Sequence, residues 1–92
     1  MERLINSLKR CAEAHNAKYE HFADEMQFGI YKLNVPLLAD INNIVHGFTG
    51  DNLPVCPEHS FGIITIYLDE CEILPDEQID WELINISLPT ER

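Results

Sequence analysis

The sequence predicts an α+β fold, a small and mostly antiparallel sheet of about three to five strands with two helices packed on one face. Three observations predict it. Apolar residues recur at spacings of three and four over residues 4–26 and again over 37–48, the period of a helix with one buried stripe. Residues 60–68, SFGIITIYL, bring β-branched and aromatic side chains together without a charge, with Phe61, Ile63, Thr65 and Tyr67 on one side and Ile64, Ile66 and Leu68 on the other. Residues 81–88, WELINISL, alternate Trp81, Leu83, Asn85 and Ser87 against Glu82, Ile84, Ile86 and Leu88, the period of a strand with one buried face.

Taken in order, Leu4, Leu8, Cys11, His15, Tyr19, Phe22 and Met26 form the first stripe, widened by Ile5, Ala12 and Ala23 and uninterrupted by Gly or Pro. The expectation is one long amphipathic helix. The alternative is a cap at His15-Asn16, followed by a hairpin of residues 18–22 and 27–33 around Ala23-Asp24-Glu25. In both cases residues 28–33, FGIYKL, read as a strand, with Gly29 marking a break from helix or a bulge. Asn34-Val35-Pro36 opens the second helix, because proline suits a first helical turn. Leu37, Leu38, Ile41, Ile44, Val45 and Phe48 line one stripe of it, Asp40, Asn42, Asn43 and His46 face away, and Gly47 or Gly50 with Thr49 ends it. This helix is expected to pack on the strand at 61–68. Residues 51–60, with two prolines, read as a loop. Residues 60–68 are expected to be an inner strand covered on both sides. Beyond it Ile73 and Leu74 tuck inward, Pro75-Asp76 starts a turn, 81–88 forms the last strand, and Pro89 stops it.

The chain of 92 residues is expected to be one acidic domain, 1–92, whose 46% hydrophobic content supports a core. No apolar run approaches the roughly 20 residues of a membrane span, and MERLINSLKR lacks the apolar block of a signal peptide. A cytoplasmic protein is the expectation. Cys11, Cys56 and Cys71 are an odd number at unmatched spacings, so reduced thiols are expected rather than a disulfide framework.

No catalytic motif is present. His46, Cys56, His59 and Cys71 are zinc-ligand types, and Cys56-Pro57-Glu58-His59 has a chelating gap, but no second ligand pair accompanies it. A cysteine nucleophile needs an electropositive pocket, and residues 34–91 supply the opposite field. The carboxylates of DECEILPDEQID are interrupted by Ile73, Leu74 and Pro75 and lack the glycine of a calcium loop. The four glycines are dispersed, which excludes a phosphate-cradling loop, and no basic patch suits direct nucleic-acid binding. The expectation is a non-enzymatic protein with no metal and no cofactor.

Charge placement carries the functional reading. Residues 1–33 hold five acids against five bases, whereas residues 34–91 hold eleven acids and no Lys or Arg. Seven of the acids, Asp69, Glu70, Glu72, Asp76, Glu77, Asp80 and Glu82, lie within 14 residues, and nothing nearby in sequence neutralises them. A field of that sign favours encounter with a basic partner. The expected partner-binding residues are these seven with Trp81 as apolar anchor. The partner class is a protein with a basic surface, such as a nuclease or nucleic-acid-binding complex, blocked by carboxylates that imitate phosphates. Phage anti-defence proteins (anti-CRISPR, anti-restriction) and immunity proteins of nuclease toxins are of this size and charge, a likeness of kind that rests on no shared motif. The alternative is a structural or regulatory accessory domain whose acidity keeps it dispersed, dimerising through a strand at 81–88.

Overall fold

The computed structural model describes residues 2–31, 35–52 and 64–88. It is an α+β fold of three α-helices and one three-stranded antiparallel sheet: α1 (Glu2–Ala14), β1 (Lys18–Phe22), β2 (Gln27–Tyr31), α2 (Val35–Thr49), β3 (Ile64–Tyr67) and α3 (Trp81–Ser87).

The long first helix is not formed. Asn16 adopts a left-handed conformation at φ 56°, Ala17 N–H bonds Ala12 C=O at 2.9 Å, and Asn16 N–H bonds Glu13 C=O at 3.1 Å. This is a Schellman cap, in which an Asn tolerates positive φ and the returning amides satisfy the last helical carbonyls. Half-buried Ala17 then packs on the core and turns the chain into β1. The hairpin alternative is the observed structure, pairing Lys18 with Tyr31 through Phe22 with Gln27 around residues 23–26. Met26, at φ 52°, closes that turn. Gly29 pairs in register with Glu20 and Thr65, so no bulge occurs there.

β2, not the strand at 60–68, is the middle of the sheet, because the order is β1-β2-β3. Phe28 pairs with Ile66 and Ile30 with Ile64, and all four are buried on the same face. Thr65 and Tyr67 on the opposite face are half-buried, so β3 has one apolar face rather than two. The beginning of that expected strand, residues 60–63, lies outside the described residues, as do Leu33, the loop at 53–60 and Pro89.

α2 begins with Pro36 in its first turn and ends where Gly50, at φ 77°, bonds His46 C=O at 2.7 Å. Its stripe of Leu37, Ile41, Ile44, Val45 and Phe48 joins Leu4, Leu8 and Cys11 of α1 and the buried sheet residues in one core. The closest packing of α2 is on α1 and α3.

Residues 81–87 are helical, which corrects the expected final strand. Asp80 is the N-cap, its Oδ1 accepting the Leu83 N–H at 3.0 Å. Ile84 and Ser87 form the buried side at helical spacing. The short alternating pattern fits both periods, and the Asp cap and docking against α2 decide for the helix. A dimer through a strand edge at 81–88 is therefore not available, and the described residues hold three α-helices where two were expected.

Candidate functional site

The acidic segment begins where β3 ends and is pinned to the core at intervals. Leu68 N–H bonds Met26 C=O at 2.8 Å, Leu74 N–H bonds Phe48 C=O at 2.8 Å, and Asp80 N–H bonds Gly47 C=O at 3.0 Å. The last two bonds also satisfy carbonyls that the end of α2 would leave without partners. Leu68, Cys71 and Ile79 are buried and Ile73 and Leu74 pack against the core. With the apolar residues turned in, Asp69, Glu70, Glu72, Asp76, Glu77, Asp80, Trp81 and Glu82 are all exposed. Two 3₁₀ turns, Leu68–Glu70 and Asp76–Gln78, set the intervening backbone.

Three of these residues also serve the fold. Asp80 caps α3, where a carboxylate meets the positive end of the helix dipole. Asp76 receives Arg3 Nη2 at 2.6 Å, an ion pair that joins α1 to a segment 73 residues away. Both side chains are more than half exposed, so this pair is worth at most about 1 kcal/mol. The guanidinium of Arg3 also lies 5.0 Å from the centroid of the Trp81 ring, while Phe48 meets that ring edge-on at 5.6 Å. Trp81 is thus held in place by a cation and an aromatic edge with 38% of its surface exposed. Sequence proximity could not show this neutralisation, because Arg3 lies at the other end of the chain. Among the described residues, Asp69, Glu70, Glu72, Glu77 and Glu82 have no side-chain hydrogen bond or ion pair.

The expected zinc-type residues are not brought together by the described structure. His46 is exposed on α2, Cys71 is buried with its thiol directed to Tyr67 C=O at 3.6 Å, and Cys56 and His59 lie outside the described residues. A different set converges instead. Cys11 and His15 follow each other by one helical turn, and Asp40 reaches them from α2, with His15 Nε2 2.9 Å from Asp40 Oδ2. The Cys-x-x-x-His spacing is readable in the sequence, but both residues also fit the apolar stripe of a helix, and Asp40 falls on the face of α2 expected to turn away.

Burial, reinforced by the charge of Asp40, raises the Cys11 thiol from 9.0 to about 11. Burial, with Glu70 and Asp69, does the same to Cys71. A thiol whose pKa is raised on folding stabilises the fold below its unfolded value and loses that contribution as pH rises through the folded value. In chelating, reducing buffer the melting temperature should therefore fall between about pH 9 and pH 11. Replacing Cys11 by Ala should flatten the slope in a pH series of thermal melts. An unchanged slope would show that the thiol does not report burial.

Fold and site together define a small α+β protein with a structurally pinned, exposed acidic segment around a half-exposed tryptophan. No protein family, curated protein or solved structure was found to match the chain.

Proposed function

We propose that this chain is a non-enzymatic protein-binding protein whose segment 69–82 docks on a basic surface of a partner, of the kind that otherwise receives nucleic acid. The observation that carries this reading is the exposure of all seven carboxylates on a backbone fastened to the core. A flexible acidic tail would lose ordering entropy on binding, whereas pinned turns present their charges already placed. Trp81, held by Arg3 and Phe48, supplies a rigid apolar anchor inside the charged region. Occupation of a nuclease or nucleic-acid-binding complex in this way is the activity of an anti-defence or toxin-immunity protein. The interior of a cell, where such partners work, is the proposed location.

The test begins with affinity capture from a cell extract, using the natural protein and the variant carrying Glu72→Lys and Glu77→Lys side by side. Binding kinetics follow with the purified captured partner. Charge reversal at Glu72 and Glu77 should slow association by about tenfold or more at low salt, because steering by charge acts on the encounter. Reversal at Glu2 and Glu25 is the control, since Glu13 and Glu20 accept hydrogen bonds from Tyr19 and Tyr31 and would disturb the hairpin. Trp81→Ala should act on dissociation, speeding it by about thirtyfold, the effect of a hot-spot anchor. Small, equal effects from the two charge sets would refute the reading.

A further inference from the structure

A second constellation stands apart from the acidic segment. The Sγ of Cys11, a ring nitrogen of His15 and a carboxylate oxygen of Asp40 all lie within 4.8 Å of one another. We propose that these three residues bind a transition-metal dication of the zinc class, fastening the end of α1 to α2.

The placement follows from the backbone. His15 N–H still bonds Cys11 C=O, at 3.2 Å, so both residues remain in helical register and their side chains leave α1 on one face. Asp40 lies one turn into α2, the helix that packs on α1, and its Oδ2 already meets His15 Nε2 at 2.9 Å. Around a tetrahedral ion with bonds of about 2.0–2.3 Å, neighbouring ligand atoms are separated by about 3.3–3.6 Å. The trio therefore needs only a small side-chain adjustment to surround an ion.

The donor set selects the metal. A thiolate with an imidazole suits zinc, cobalt and related ions, and disfavours calcium and magnesium, which seek all-oxygen shells. Cys11 is buried while His15 and Asp40 are half-exposed, so three protein ligands close the inner side and a fourth position faces solvent. Coordination takes the thiol proton of Cys11 into solvent and requires His15 to present the lone pair of its coordinating nitrogen. The hydrogen bond between His15 and Asp40 gives way to two bonds to the ion. Binding consequently strengthens with pH and releases protons.

The test is a cobalt titration of the full chain under reducing conditions, followed by displacement with zinc. Expected are a thiolate-to-cobalt charge-transfer band and the strong visible bands of a four-coordinate site, both lost on adding zinc. His15→Gln and Asp40→Asn change half-exposed groups and should leave the circular dichroism spectrum unchanged while weakening cobalt binding. For His15→Gln the loss should exceed about a hundredfold, more than removal of an outer-sphere partner costs. Cys11→Ser should abolish the charge-transfer band, and Cys56→Ser should retain it. Zinc should raise the melting temperature of the natural protein and of Cys56→Ser, but not of His15→Gln, while magnesium should raise neither. Absence of the bands in the natural protein, or their persistence in Cys11→Ser or His15→Gln, would overturn the assignment.

Discussion

Phe48→Ala should lower the stability of the protein by about 3–5 kcal/mol, the usual cost of deleting a buried phenylalanine together with the cavity it leaves. Phe48 is 1% exposed at the end of α2, belongs to the central core and supports the Trp81 ring. A domain of this size has only about 5–15 kcal/mol to lose. The melting temperature should fall by at least about 12 °C, since each kcal/mol shifts it by several degrees in so short a chain. Phe48→Leu, which keeps most of the volume, should cost less in total yet still forfeit the aromatic pair, about 0.5–1.5 kcal/mol. Thermal and urea unfolding of both variants decide the matter. Trp81 is the only tryptophan, so its fluorescence reports the loss of the aromatic edge directly. A loss below about 1 kcal/mol for Phe48→Ala would place α3 and its tryptophan elsewhere than on the end of α2.

Gly47→Ala separates two effects of opposite sign. In an exposed helix the change should stabilise by up to about 1 kcal/mol, because alanine is the better helix former. At Gly47 a new Cβ would lie 2.6 Å from Ile84 Cγ1 and 3.1 Å from the Asp80 carbonyl oxygen. Ile84 is buried and the Asp80 backbone is bonded to Gly47 itself, so neither can yield without moving α3. Overpacking of this kind costs about 1–3 kcal/mol and outweighs the propensity gain. Net destabilisation is expected for Gly47→Ala and a larger loss for Gly47→Val, whose extra methyl groups meet the same wall. Denaturant midpoints give the sign. Stabilisation by Gly47→Ala would mean that α3 does not dock closely here.

The elements that could be read in advance were those whose signals are local. The apolar stripe of α2 is expected from six residues at helical spacing, of which all but the exposed Leu38 are buried, with a proline at its start and Gly50 at its end, and it needs no distant contact to be recognised. The hairpin was open to reading only as an alternative. Leu4, Leu8, Cys11, His15, Tyr19, Phe22 and Met26 continue a helical period straight through a position where the backbone turns. What ends the helix is the local cap at left-handed Asn16, with half-buried Ala17 packed against the core. For residues 81–87 the period is ambiguous over so short a length, and in the sequence Asp80 stands as one more acid of a charged run rather than as a distinct helix start.

The candidate acidic site was legible as a list of residues because charge is read directly from residue type, and charged side chains are rarely buried. Its anchoring was not. Arg3 reaches Asp76 and Trp81 across nearly the whole chain, and no spacing rule connects residues 3, 76 and 81. Cys11, His15 and Asp40 show the same division: the pair on α1 has a visible spacing, but the third group arrives through helix packing. By itself, then, the sequence determined the α+β class, the second helix, the inward residues Ile73 and Leu74, and the clustering of acids between residues 69 and 82, since these follow from local periodicity and composition. Tertiary structure alone decided that α1 stops at Ala14, that β2 lies at the centre of the sheet, that residues 81–87 form a helix, and which distant side chains meet. Those outcomes rest on burial and hydrogen bonds between segments far apart in the chain, where competing local patterns differ by about 1 kcal/mol and packing supplies more.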